Sequence, residues 1–255
     1  MQPHERIAAA IRSANDAGRT ALVPFITAGY PRPESFLSTL RAIAEVAEVV
    51  ELGVPFSDPM ADGMTIQRSS FAAIENGVTL SWIFRQLDEL HGELSTPLVM
   101  MSYLNPLLQF GYPQLASRAR ETGVCAFIVP DLPFEESSEI STALQAEGVG
   151  LIQLVTPETP AERMKMLADA SRGFLYAVTM TGITGSDSGL PADLADYLDA
   201  VTAVSPLPVC AGFGIRTPAD VVNVGRHAAG AIVGSALVEV LERGDDAAGF
   251  LDQLR

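Results

Sequence analysis

Short apolar runs recur along the chain, each followed by a stretch of helical pattern, and this alternation limits the possible folds more than any other feature. The runs are Ala21–Thr27, Val46–Leu52, Pro97–Met101, Cys125–Val129, Gly150–Val155, Phe174–Thr179, Leu207–Ala211 and Ala229–Val233. They are almost continuously apolar, as parallel strands covered on both faces are. Helical patterns over Pro33–Ala44, Pro113–Thr122, Glu135–Glu147, Pro160–Ala170, Pro191–Val204 and Pro218–Arg226 separate them. Several open on proline, whose missing N–H costs nothing in a first turn. These strand–helix units predict an α/β fold, a single parallel (β/α)8 TIM barrel spanning 1–255 as one domain. An open doubly wound sheet is the competing arrangement, but no glycine-rich dinucleotide fingerprint follows the first run. An extra helix is expected before Ala21. The long interval after the second run holds two helical segments, around Thr65–Asn76 and Thr79–Leu94, and so an additional helix there.

Composition narrows the function. Apolar residues make up 48% of the chain and the net charge is −15. The acidic balance argues against nucleic-acid or anionic-membrane partners, and an anionic substrate must be captured by local donors. No run approaches the roughly 20 apolar residues of a membrane span. No secretory leader is evident at the start, and Cys125 and Cys210 lie in apolar runs, so a cytoplasmic protein without disulfides is expected.

In a barrel of this kind, chemistry sits on the loops that follow the strands. After the seventh and eighth runs come Gly212-Phe213-Gly214 and Gly234-Ser235. Tight turns are the usual reason for such glycines, but their paired location after the last two strands favours a phosphate site, with backbone N–H groups and the start of the helix after Ser235 as donors. After the second run comes Glu51 and a loop through Asp58 and Asp62. A carboxylate at the end of an apolar strand is costly unless partnered or functional, and apolar neighbours raise its pKa. A structural ion pair is the alternative for Glu51; Asp58 and Asp62, taken singly, read as cap or turn residues. The only lysine, Lys165, lies in a helical stretch and offers no Schiff base at a strand end. His4, His91 and His227 fall in helical stretches too, so no metal site is expected. Carboxylate acid–base chemistry on a small phosphorylated molecule remains. The polar loop Thr181–Gly189 reads equally as connector or lid.

The segment Glu51-Leu52-Gly53-Val54-Pro55-Phe56-Ser57-Asp58-Pro59, with Ala61-Asp62-Gly63 and Ile66-Gln67, resembles the signature of the tryptophan synthase alpha subunit family. Similar matches are Pro24–Gly29, Tyr103 with Asn105-Pro106, Pro130–Pro133, Gly182–Gly185 and Gly212–Ile215. The resemblance implies a lyase cleaving indole-3-glycerol phosphate to indole and D-glyceraldehyde 3-phosphate, in tryptophan biosynthesis. It implies that Glu51 is the main acid–base residue and that Asp62 holds the indole N–H. Tyr176 would border Glu51, and Thr184 would reach Asp62 as the lid closes. Gly185, Gly214, Gly234 and Ser235 would bind phosphate, with Phe25, Met101 and Phe213 as apolar walls. The resemblance implies no cofactor in this chain, and a beta-subunit partner carrying pyridoxal phosphate. Asp58, Asn105, Pro106 and Asp131 would lie at that interface. The apolar stretches Leu104–Phe110 and Pro130–Phe134 offer a docking patch if exposed. A stand-alone indole-releasing lyase is the alternative. Departures from the family pattern include Met64, where proline is usual after Ala-Asp-Gly, and Tyr30, Thr179–Gly182 and Ala211.

Overall fold

The apolar runs become strands β1 (Ala21–Thr27), β2 (Val50–Gly53), β3 (Leu98–Met101), β4 (Val124–Ile128), β5 (Gly150–Ile152), β6 (Leu154–Val155), β7 (Leu175–Val178), β8 (Val209–Gly212) and β9 (Gly230–Val233). The computed structural model describes residues 1–90, 92–179, 192–212 and 214–255. Every recorded strand pair is parallel, in the order β5-β4-β3-β2-β1-β9-β8-β7-β6. β5 and β6 are two pieces of the one expected fifth strand. The Gln153 N–H between them donates to the Ser171 hydroxyl at 3.0 Å instead of continuing a ladder. Because β5 pairs with β4 and β6 with β7, the broken strand closes the ring.

The helices are α1 (Pro3–Asp16), α2 (Phe36–Val46), α3 (Met64–Glu75), α4 (Leu80–Asp88), α5 (Leu104–Phe110), α6 (Tyr112–Thr122), α7 (Ser138–Ala146), α8 (Ala161–Ala170), α9 (Ala192–Val204), α10 (Pro218–Gly225), α11 (Ser235–Arg243) and α12 (Ala247–Gln253). The extra N-terminal helix and the additional helix after β2 are both present. α1 carries Ile7, Ile11 and Ala14 on one face, at helical spacing, and these join Val23, Val99, Cys125 and Phe174 in the inner core at the foot of the barrel.

Alternate strand residues go to different cores. Ile26, Leu52, Met100, Val155 and Ala177 pack outward against the helices. Val23, Val99, Ile152 and Tyr176 point inward. This period of two is hidden in the sequence because both faces of each strand are apolar.

Several boundaries differ from expectation, for simple reasons. Val46 ends α2 rather than starting β2, because its side chain packs on the outer core from the last helical turn. Pro97 and Pro208 stay outside β3 and β8, since they offer carbonyls to Val50 and Leu175 but have no N–H to donate. His227 lies in the turn after α10, bonded to Asp199 at 2.8 Å, and not in a helix. The apolar stretch 104–110 is helix α5 rather than a loop. Its Leu107 is fully buried, and Leu104, Phe110, Leu132 and Phe134 pack on the outer core. Most of the expected docking patch therefore packs onto the barrel, and Leu108 and Pro133 are its exposed apolar remnants.

Met64 occupies the first position of α3, behind an extended Gly63. Proline suits that position, because its ring pre-sets the helical φ and an extended residue precedes it. Met64→Pro is expected to stabilise the chain by roughly 0.4–1 kcal/mol through the unfolded state, read as a raised Tm; a lowered Tm would contradict this placement.

Candidate active site

The inward-pointing residues at the carboxyl ends of the strands do not fill the barrel, and a cavity of about 460 Å³ opens there. Phe25, Glu51, Met101, Leu154, Tyr176, Gly212 and Ile232 line it from the strands, with Asp62, Ile66, Gly214, Arg216, Gly234 and Ser235 from the loops and helices above. Such a mostly apolar, concave site with few polar groups is the usual form of a small-molecule pocket. Two glycines make room in it. A Cβ at Gly53 would strike the Phe25 ring, and one at Gly212 would strike the Tyr176 hydroxyl.

Glu51 sits beside Phe25 and Val99 in the parallel register, inside the barrel. It is 1% exposed, and its Oε2 has no hydrogen-bond partner. No ion pair involves it among the described residues, so the structural ion pair that would explain its burial is missing. Burial, then repulsion from Asp62, pushes its pKa up to about 8, so the carboxyl holds its proton at neutral pH.

Asp62 comes from the β2–α3 loop. Tyr103 Oη donates to Asp62 Oδ2 at 3.1 Å and accepts the Ala61 N–H at 2.9 Å. Gln67 Nε2 donates to the Asp62 carbonyl at 2.9 Å, and Phe56 stacks on Tyr103 with ring centres 4.9 Å apart. A tertiary bond thus replaces the local turn contact expected of an isolated aspartate. Burial raises the Asp62 pKa to about 6 against the lowering by the Tyr103 bond, which leaves it ionised at pH 7. The two carboxyls therefore divide, one protonated and one charged, as acid–base pairs do.

Tyr176 lines the same cavity, and the nearby Glu51 charge contributes to its raised pKa after burial. The two are neighbours without a hydrogen bond between them. Gly214 adopts φ +71°, and Gly234 caps α11, whose first N–H groups lack intrahelical partners. These donors open on the cavity. The expected lid Thr181–Gly189, with Thr184 and Gly185, lies outside the described residues, as do Phe213 and His91.

Asp58, Asn105, Pro106 and Asp131 do not line the cavity. They follow β2, β3 and β4 at the same end of the barrel; Pro106 is half-buried and the others are exposed. Asp58 accepts from the Ser57 hydroxyl at 2.6 Å, and Asp131 accepts the Leu104 N–H at 2.9 Å, tying down the start of α5. Lys165 is paired with Asp169 on the exposed face of α8 and does not line the cavity. Among the described residues, no cluster of His, Cys, Asp or Glu is spaced to hold a metal, and no helix is long and apolar enough to cross a membrane.

Sequence reasoning missed Tyr103 and Arg216. Tyr103 carried a signal, since it begins the Tyr103…Asn105-Pro106 match, but its reach to Asp62 depends on the stacking of two loops. Arg216 lies just beyond the glycine turn that drew attention to the phosphate end.

A family model described as tryptophan synthase alpha chain matches residues 11–254. The tryptophan synthase alpha chain of Nitratidesulfovibrio vulgaris is 42% identical over 247 residues, covering 96% of each chain. The structure of tryptophan synthase subunit alpha from Legionella pneumophila superposes with a TM-score of 0.88 at 34% identity, covering 100% of this chain and 96% of that one. A Mycobacterium tuberculosis tryptophan synthase structure contains a chain that superposes with a TM-score of 0.89 at 31% identity, covering 98% and 96%. The chain belongs to the tryptophan synthase alpha chain family.

Proposed function

We propose that this cavity carries out the alpha reaction of tryptophan synthase, with Glu51 as its acid–base residue and Asp62 as its charge stabiliser. The substrate is indole-3-glycerol phosphate and the products are indole and D-glyceraldehyde 3-phosphate. The observation that carries the reading is Glu51: a buried carboxyl, protonated at neutral pH, with a partnerless oxygen in a cavity that also holds an ionised Asp62.

Glu51 delivers its proton to C3 of the indole, a weakly basic carbon that needs a positioned acid. The ring becomes a cationic indolenine, and Asp62 accepts its N–H and offsets the charge. The Glu51 carboxylate then takes the proton of the hydroxyl on the adjoining side-chain carbon. The bond from that carbon to C3 breaks, its electrons restore the indole, and the carbon leaves as the aldehyde. Glu51 ends as it began, so the proton cycle closes on Glu51 alone, while Asp62 stays ionised throughout. Phe25, Met101 and Tyr176 wall the ring. Gly214, Gly234 and Ser235 take the phosphate on backbone N–H groups, as the acidic surface requires. Thr184, Gly185 and Phe213 belong to the same reading, as lid, phosphate and ring contacts.

The M. tuberculosis relative is a tryptophan synthase, and this supports a beta-subunit partner that would hold the pyridoxal phosphate. Asp58, Asn105, Pro106 and Asp131, at the cavity end, are proposed to meet it. The test is indole release from indole-3-glycerol phosphate by the purified chain, with and without a beta subunit. Indole should form in both, faster in the pair. Equal rates would favour the stand-alone lyase, and no indole in either would overturn the reading.

A further inference from the structure

The cavity has one cationic side chain among its described lining residues, Arg216, at the same end as Gly214, Gly234 and Ser235. In a chain of net charge −15 with a single lysine, a lone cation at the anion end of the cavity stands out. Its placement is built rather than incidental. Arg216 Nη1 and Nη2 donate to the two oxygens of Glu239, each at 2.9 Å, in a fork-to-fork pair. Glu239 stands on α11, the helix whose first turn faces the cavity, and also accepts from Thr65 Oγ1 on α3 at 3.4 Å. At its other end, the Arg216 backbone N–H is held by Asp220 Oδ2 at 2.9 Å. The guanidinium is thus fixed from both ends, while its side chain stays 47% exposed and keeps N–H groups beyond the pair.

A pair made only for stability has no need to stand on this rim. Surface ion pairs contribute little to folding, whereas a pre-oriented guanidinium beside an anion site needs no ordering when the anion arrives. We propose that Arg216 is a side-chain anchor for the substrate's phosphate, adding a positive charge to a site otherwise made of backbone N–H groups, with Glu239 holding it in place. The proposal rests on the reading of this cavity as one that takes a phosphorylated substrate.

The experiment compares the parent chain with Arg216→Gln and Glu239→Gln. Titration calorimetry with inorganic phosphate and with free indole reads binding, kinetics with indole-3-glycerol phosphate reads turnover, and thermal melts check folding. Arg216→Gln should weaken phosphate binding and raise KM about tenfold, the size of one lost charge-assisted contact. Its kcat and its affinity for free indole should change little. Glu239→Gln should keep phosphate binding or tighten it, because the amide oxygen still accepts a guanidinium N–H and keeps it in place while the counter-charge is gone. A loss in Arg216→Gln with no loss in Glu239→Gln is the signature of a direct contact. Arg216→Gln binding phosphate as the parent does, or both variants weakening it equally, would overturn the proposal. Calorimetry needs no turnover. A parent that binds phosphate but releases no indole therefore sinks the proposed reaction alone, whereas parent-like Arg216→Gln binding in an active enzyme sinks the anchor alone.

Discussion

Glu51→Gln is expected to remove nearly all indole-releasing activity while making the protein more stable in alkaline solution. Positioned general acids contribute about 10²–10⁴-fold, and Glu51 handles both proton transfers, so a loss of roughly 10³-fold or more is expected in kcat/KM. The stability gain comes from its surroundings. The Glu51 pKa is raised from the ordinary 4.5 to about 8 by burial and by Asp62. The folded chain therefore holds a proton that the unfolded chain has released between those values. Stability falls as the pH rises through that window, since protonation favours the folded state there. Glutamine has the same shape and does not titrate. The variant should match the parent below about pH 4.5 and gain on it up to about pH 8, then stay ahead by on the order of a few kcal/mol. Denaturant melts of both proteins from pH 5 to pH 9 read this directly. Parallel curves would mean that Glu51 does not titrate in the folded chain as stated.

Asp62→Asn is the second large effect, and its signature is the pH profile as much as the rate. With Glu51 active when protonated and Asp62 when ionised, kcat/KM of the parent should be bell-shaped, with limbs near pH 6 and pH 8. Each limb reflects the pair, because the charge on one carboxyl acts on the other. The amide of the variant keeps the shape but offers no charge to the indolenine, and a loss of roughly 10²-fold is expected, in line with removal of one electrostatic stabiliser. The acidic limb should vanish with it. Tyr103→Phe, which removes the donor at 3.1 Å from Oδ2, should move that limb to higher pH and leave the alkaline limb in place. An acidic limb that survives in Asp62→Asn would assign it to another group.

The barrel was legible because its evidence is local. Alternating apolar runs and proline-opened helices are written in consecutive residues, and most strand and helix cores fall within a few positions of expectation. The misses share a cause: they depend on partners distant in sequence. The fifth strand breaks because the Ser171 hydroxyl takes the Gln153 N–H. Leu104–Phe110 coils and turns inward because the outer core lies beneath it. Val46 joins a helix because that helix packs on the same core.

The site divides the same way. By itself the sequence determined that a carboxylate stands at the end of an apolar strand, that glycines follow the last two strand–loop junctions, and that the single lysine is not at a strand end. Local composition and spacing suffice for those statements. Only the tertiary structure decided that Glu51 points inward with Phe25, Met101 and Tyr176, because strands apolar on both faces carry no mark of which residues turn toward the axis. It also decided that Asp62 is held by Tyr103 and lies close enough to Glu51 to raise its pKa, and that Arg216 meets Glu239 beside the phosphate end. Charge states and hydrogen bonds depend on burial and on distances between loops from different strands, and the chain order does not contain those distances until the barrel closes.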